Sequence, residues 1–254
     1  MQWNPDLYER YRALRERPGC DLLAAIPPIA ARTMVDLGCG TGYLTRQLAD
    51  QFPTAAVTGL DGDPAMLAKA GQEASRVTWQ RGDIADWRPE MPPDLIFSNA
   101  ALQWLPGHEA LFARLVLSLA RGGVLAVQMP DNYAAPSHRL LLELAGREPW
   151  AQSLTGALHH GSVLTPEDYW RVLRPHCTSV DIWHSDYLQE LAGDDPVLEW
   201  VSATALLPVM ARLPGNLAAS FRAAYGAALR DAYPRQADGS TLFPFRRIFI
   251  LARI

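Results

Sequence analysis

The chain predicts an α/β fold of parallel strands joined by crossover helices, and three features of the sequence carry that prediction. Between about residues 33 and 130, short β-branched runs alternate with stretches of helical period, as successive βαβ units require. The stretch Val35-Asp36-Leu37-Gly38-Cys39-Gly40-Thr41-Gly42-Tyr43 reads as a strand that enters a glycine-rich turn and leaves it as a helix. Two further carboxylates, Asp61 and Asp83, fall at the ends of the next two strands.

Taken in order, Asn4-Pro5 forms a helix N-cap with a first-turn proline, and Leu7, Tyr8, Tyr11 and Leu14 share one face of the helix that follows. That helix is expected to end near Pro18-Gly19, with a short second helix over Asp21–Ile26. Strands follow at Thr33–Asp36, Ala56–Asp61, Val77–Gln80, Leu95–Ser98 and Val124–Met129, with helices at Tyr43–Gln51, Pro64–Ala70 and Glu109–Leu119 between them. Beyond this core the pattern gives helices at Ser137–Glu148, Thr165–Leu173, Pro196–Ala205 and Leu217–Ala232, and strands at Val180–Leu188 and Thr241–Ala252. The expected organisation is one elaborated domain over residues 1–254: an N-terminal helical clasp (1–31), a core sheet (32–130), and substrate-side helices with a late helical cap and final strands (131–254).

Composition narrows the class of function. With 49% apolar and 20% charged residues in 254, the chain can bury a core without disulfide or metal staples. The net charge of −4 supplies no positive field to gather a nucleic-acid backbone. Lys69 is the one lysine; every other Lys/Arg position is arginine, whose fork suits carboxylate or phosphate, although base composition of the genome explains the bias as simply. Cys20, Cys39 and Cys177 have no metal-ligand spacing and fit a reducing compartment. Met1-Gln2-Trp3-Asn4-Pro5-Asp6 does not begin a cationic leader, and no apolar run approaches the ~18 residues that span a bilayer, so a cytoplasmic location without a membrane partner is expected.

The glycine turn carries the chemistry. Its glycines allow a tight turn and close approach of a ligand, while the helix N-terminus favours an anionic group. A nicotinamide-binding G-x-G-x-x-G would need glycine where Tyr43 stands, which makes hydride chemistry the weaker reading. The spacing D-x-G-x-G-x-G from Asp36 to Gly42 resembles the first motif of the class I S-adenosylmethionine-dependent methyltransferases, with their Rossmann-like sheet. Within that class, Asn99-Ala100-Ala101-Leu102-Gln103-Trp104-Leu105-Pro106 and Val127-Gln128-Met129-Pro130-Asp131-Asn132 resemble the trans-aconitate methyltransferase family, bacterial enzymes that convert one carboxylate of trans-aconitate to its methyl ester. Further likeness lies in Trp3-Asn4-Pro5, Arg17-Pro18, Trp183, Trp200-Val201 and Arg247-Ile248-Phe249, so that it runs end to end. Members often carry an arginine where this chain has Leu207; if that arginine grips a substrate carboxylate there, its replacement bears on which acid this chain takes, while methyl transfer to some small carboxylate stands.

The resemblance implies S-adenosylmethionine as cofactor, S-adenosylhomocysteine as product, and a small carboxylate as substrate. It implies Asp36, Gly38, Cys39 and Gly40 at the methionine end, Asp61 at the ribose, Met66, Asp83 and Ile84 at the adenine, Asn99 as the floor, and Arg17 at the cofactor carboxylate. Taken singly, each aspartate reads equally as a helix cap or turn former, Arg17 as a solvated face charge, and Cys39 as a small residue in a crowded turn. For the substrate, Trp3, Tyr8, Tyr11, Gln103 and Trp104 are candidates to close the pocket, with core packing as the alternative. Period-two alternation sets Arg247 on one strand face with Phe243, Phe245 and Phe249, where it needs either an internal acid or a bound anion. His138, His159 and His160 are secondary candidates. A carboxylate substrate of pKa ~4 is already ionised at neutral pH, so no catalytic acid or base is expected, and no metal. Alternatives are a methyltransferase for another small metabolite and a silent cofactor-binding module. Base methylation is disfavoured because Asn99 precedes Ala100-Ala101 and not the Pro-Pro-aromatic string that clamps a flipped base. The oligomeric state is not legible.

Overall fold

The structure is a computed structural model and describes residues 12–156, 162–202 and 204–254. The elements run α1 (Arg12–Ala25), β1 (Thr33–Leu37), α2 (Tyr43–Gln51), β2 (Ala56–Asp61), α3 (Pro64–Ala70) and β3 (Thr78–Arg81). β4 (Leu95–Asn99) leads into a 3-10 turn (Leu102–Trp104), then α4 (His108–Leu117) and β5 (Val124–Pro130). The remainder comprises α5 (Pro136–Ala145), α6 (Ala151–Leu154), α7 (Pro166–Leu173), a 3-10 turn (Arg174–His176), β6 (Ser179–Leu191), α8 (Pro196–Ser202), α9 (Leu207–Arg212), α10 (Gly215–Ala232) and β7 (Thr241–Arg253).

These strands form one seven-stranded sheet in the order β3-β2-β1-β4-β5-β7-β6. β3, β2, β1, β4 and β5 pair in parallel, and β7 enters antiparallel beside β5. The parallel strands expected from the alternation, and the Rossmann-like sheet that the family resemblance implies, are therefore present, and the strand order reverses between β1 and β4. In open α/β sheets the crevice beyond the carboxyl ends of the strands at such a reversal receives the ligand. β1, β4 and β5 are buried almost throughout, as parallel strands covered on both faces are.

The described residues fall into two compact units. One comprises Glu16–Pro130, Ser162–Ser185 and Arg247–Ile254, and its core gathers Leu37, Leu60, Ile96, Phe112, Val127 and Ile248. The other comprises residues 12–15, 131–156, 186–202 and 204–246, with Trp200, Phe221, Tyr225, Phe243 and Phe245 in its core. In this second unit the first turn of α5 is anchored at Ser137, whose carbonyl accepts from the Tyr225 hydroxyl (2.7 Å) and whose N–H donates to the Tyr233 hydroxyl (3.1 Å).

The expected break at Pro18-Gly19 does not occur: α1 runs continuously from Arg12 to Ala25 with Pro18 inside it. An internal proline costs about 3 kcal/mol. Pro18, Leu22 and Leu23 are buried, and full burial of each leucine contributes roughly 1.5–3 kcal/mol, so packing outweighs the lost hydrogen bond. Gly19 makes that packing possible, because a Cβ there would lie 2.3 Å from Leu44 Cδ1 and 3.2 Å from Asn99 Cγ. Two short helices, α6 and α9, lie in segments left unassigned by periodicity.

Candidate active site

The glycine turn leaves β1 at the point of strand reversal. Gly38 and Cys39 donate their N–H groups to the Leu60 carbonyl (2.8 and 3.0 Å), which ties the turn to β2. Gly38 has φ +81°, and a Cβ there would meet Ala101 Cβ at 2.2 Å, with Ile84 Cδ1 3.5 Å away. The turn thus packs against the loop after β4, whose Ala100 itself adopts φ 53°. Gly40 differs: its φ is +55°, and nothing lies within 4 Å of where a Cβ would stand. The first glycine is required by packing, whereas the second leaves backbone open for an approaching ligand.

Asp36 is 2% exposed, and its Oδ2 accepts from the Thr45 hydroxyl on α2 (2.6 Å). Burial, opposed by that hydrogen bond and aided by Asp61, pushes its pKa up to about 7. Cys39 is buried beside these two acids, and its thiol pKa is driven well above the ordinary value by burial first and by Asp36 and Asp61 second. The thiol therefore stays protonated and serves as a small packed side chain. At the opposite, amino edge of the sheet, Asp94 accepts from the N–H groups of Arg32 (2.8 Å) and Thr33 (3.0 Å), a purely structural use of the same residue type.

Asp61 ends β2 with its carboxylate held from two sides: Oδ2 accepts from Gly40 N–H and Oδ1 from Asp63 N–H, both at 2.8 Å. Each oxygen keeps a second lone pair for another donor. Asp83, beyond β3, is exposed and caps its own turn by accepting from Ala85 N–H (2.8 Å). Met66 on α3 and Ile84 are half-buried. Arg17 is exposed on α1 and 4.0 Å from Asp21. The structure thus joins Asp36, Gly38, Cys39, Gly40, Asp61 and Ile84 at adjoining strand ends.

The loop after β4 supplies amides. Gln103 is 6% exposed; its Nε2 donates to the Ala100 carbonyl (2.8 Å), and its Oε1 is buried without a hydrogen-bond partner among the described residues. Asn99 Oδ1 is likewise buried and unpartnered. The 3-10 turn is held by His108, whose Nε2 donates to the Leu102 carbonyl (3.0 Å) while Nδ1 accepts from the Tyr169 hydroxyl. Burial lowers the His108 pKa, which keeps the ring neutral and fixes these roles. Trp104, by contrast, is 68% exposed.

Arg247 sits opposite Pro130 in the β5–β7 register and is 4% exposed. Arg247 Nη1 donates to Gln128 Oε1 at 3.4 Å. Gln128, on β5, was not anticipated as a site residue; a lone amide within the apolar run Val124–Met129 was the available signal. Leu207 is half-buried at the start of α9. His138 is half-buried beside Tyr133, and desolvation lowers its pKa to about 4, so it is neutral. Trp3, Tyr8, Tyr11, His159 and His160 lie outside the described residues. Among the described residues no cluster of three or more His, Cys, Asp or Glu is arranged to hold a metal ion, and no helix is long and apolar enough to cross a membrane.

A sheet with this order, a glycine turn at its reversal and an acid closing β2 define a class I methyltransferase fold, and the "Methyltransferase domain" family model matches residues 34–123. Solved structures share the fold: the YcgJ protein of Bacillus subtilis superposes with TM-score 0.58 at 14% identity, over 94% of this chain and 98% of that one. An S-adenosylmethionine-dependent methyltransferase from Mesorhizobium loti gives 0.51 at 19% identity, over 94% and 98%. Sequence likeness is far closer to the trans-aconitate 2-methyltransferases of Variovorax paradoxus (45% identity, covering 100% of this chain and 98% of that protein) and Streptomyces coelicolor (47%, covering 99% and 86%). The chain belongs to the trans-aconitate 2-methyltransferase family.

Proposed function

We propose that this protein is an S-adenosylmethionine-dependent carboxyl O-methyltransferase that forms the monomethyl ester of trans-aconitate or a closely related small polycarboxylate. The observation that carries the reading is the full-length identity of about 45% to proteins of that name. The site fits the cofactor. Gly40 presents open backbone, Asp61 offers two oriented lone pairs to a ribose, and the unpartnered Asn99 Oδ1 suits a donor such as the cofactor ammonium. In this assignment Asp36, Gly38, Cys39 and Gly40 line the methionine end, Met66, Asp83 and Ile84 the adenine, and Arg17 answers the cofactor carboxylate.

When bound, the cofactor supplies a methyl group on a sulfonium whose positive charge is lost on transfer. The chain's own part is to hold the acid and exclude water. Arg247 and Gln103 orient the substrate, with Trp104 as the aromatic candidate to exclude water. The acceptor oxygen needs no deprotonation, so positioning replaces acid/base work and supplies on the order of 7–11 kcal/mol of barrier lowering. The reading places the enzyme in the cytoplasm, with a small carboxylate as its partner and neither nucleic acid nor membrane.

Incubation with methyl-labelled cofactor and a panel of di- and tricarboxylates tests this. Labelled ester is expected from trans-aconitate above all; transfer to an amine or neutral acceptor with no ester from any acid would overturn it.

A further inference from the structure

Arg114 stands in the last turn of α4, a helix anchored in the core by Leu111, Phe112, Leu115 and Val116. Its guanidinium reaches across to the loop after β3 and donates to three carbonyls there: Nη1 to Trp87 (2.7 Å), and Nη2 to Ile84 (3.1 Å) and Ala85 (3.2 Å). Carbonyls that converge in this way repel one another, and a planar fork of donors is the side chain that gathers them. The same loop carries Asp83 and Ile84. Asp83 Oδ1 accepts from Ala85 N–H (2.8 Å), which closes a turn and sets the direction of the carboxylate, whose other lone pairs can receive a further donor. Ile84 Cδ1 lies 3.5 Å from where a Gly38 Cβ would stand, so the loop also reaches the glycine turn. At its start the loop is tied to β2, since Gly82 N–H donates to the Asp61 carbonyl (3.1 Å). Asp83 itself is exposed, and an exposed acid aims at a ligand only where its backbone is held.

We propose that Arg114 is the positioning residue of the nucleobase subsite: by fixing the loop after β3 it aims the Asp83 carboxylate at the amino group of the cofactor's base, and so sets the preference for an adenine over a 6-oxopurine cofactor. The inference rests on the assignment of Asp83 and Ile84 to the adenine in the reading above. A carboxylate accepts from an exocyclic amino group and repels a carbonyl oxygen in its place, so the discrimination is one of hydrogen-bond sense and depends on direction. A loop free to turn lets the acid swing away from an oxygen and admits both bases; a clamped loop does not. The clamp is carried by a helix whose apolar side chains are buried, so the rigid part of the fold, and not the exposed loop, supplies the aim.

The test is calorimetric titration of the full chain with S-adenosylhomocysteine and with its inosine counterpart. Wild type, Arg114→Met, Arg114→Lys, Asp83→Ala and the double variant Asp83→Ala/Arg114→Met are compared, each checked by thermal melting. The wild type is expected to favour the adenine ligand roughly 10- to 100-fold, the range for a hydrogen bond to a charged group. In Arg114→Met that ratio is expected to fall roughly tenfold, through weaker adenine binding and not weaker inosine binding, and lysine, a compact cation without the fork, restores part of it. In the Asp83→Ala background the second substitution leaves the ratio unchanged, because Arg114 acts through Asp83. An arginine that only stabilises the fold weakens both ligands alike, so an unchanged ratio in either folded Arg114 variant overturns the proposal. A ratio that Arg114→Met lowers equally with and without Asp83 does the same. If the Arg114 variants misfold, a wild-type ratio retained by Asp83→Ala, or equal wild-type affinity for the two ligands, refutes it. No wild-type binding of either ligand removes it together with the cofactor assignment. Ester formation from trans-aconitate with a ratio indifferent to Arg114 leaves the enzymatic reading intact and removes this inference; selective binding that depends on Arg114, without ester from any acid, does the reverse.

Discussion

Replacing Asp36 by asparagine removes a buried charge while keeping an acceptor for the Thr45 hydroxyl. The folded-state pKa is raised to about 7 against about 3.9 in the unfolded chain, so between those values the folded protein holds a proton that the unfolded chain has released. The stabilising contribution of this proton uptake is complete below about pH 4, declines as pH rises, and is gone above about pH 7. The separation of roughly 3 pH units at ~1.4 kcal/mol each makes the loss ~4 kcal/mol, and a side chain only 2% exposed receives little relief from solvent. Asparagine does not titrate. The unfolding free energy of Asp36→Asn minus that of the wild type should therefore climb by ~1.4 kcal/mol per pH unit from about pH 4, and level off above about pH 7. Urea denaturation of both proteins at pH 5, 6, 7 and 8 measures it, and contributions from other groups cancel in the difference. A difference that stays flat across this range would show Asp36 to be ionised throughout, and the burial argument to be wrong.

Two further substitutions separate scaffold from site. Asp61→Ala should weaken cofactor binding and also lower stability by about 1–3 kcal/mol, since Gly40 N–H and Asp63 N–H both lose their acceptor; unaltered cofactor affinity in isothermal titration would remove Asp61 from the ribose. Gly38→Ala should cost ~2–5 kcal/mol, from left-handed backbone strain plus collision with Ala101, whereas Gly40→Ala should cost only about 1–2 kcal/mol yet impair cofactor binding more. Paired melting and binding curves check this, and equal stability losses would contradict the packing asymmetry between the two glycines.

The helices and strands of the core were legible because their signals are local. Tyr43–Gln51 lies between a glycine turn and Pro53, and Pro64–Ala70 starts on a capping aspartate, so both could be bounded from sequence. What was not legible depended on tertiary energy. Pro18 marks a break by its own chemistry, and only the burial of Leu22, Leu23 and Gly19 carries α1 through it. The insertion of β7 between β5 and β6 is a choice of neighbour that strand periodicity does not encode. In the site, the aspartates at the strand ends could be named from motif and resemblance, but not their second occupation: Asp36 braces Thr45 and Asp61 braces Gly40. Arg247 was legible as an arginine among phenylalanines, whereas its partner Gln128, remote in sequence, became visible only through the β5–β7 register.

That partnership bears on how a chain of net charge −4 would receive a polyanionic acid. Mobile ions screen exposed charges beyond about 8–10 Å, so the net charge says little about a desolvated guanidinium at the edge of the sheet. Arginine suits this place better than lysine, because a planar guanidinium with one nitrogen on Gln128 Oε1 is held in a defined orientation. For a reaction that needs no proton transfer, holding the acceptor oxygen in line with the methyl group is the chemical contribution the protein has to make.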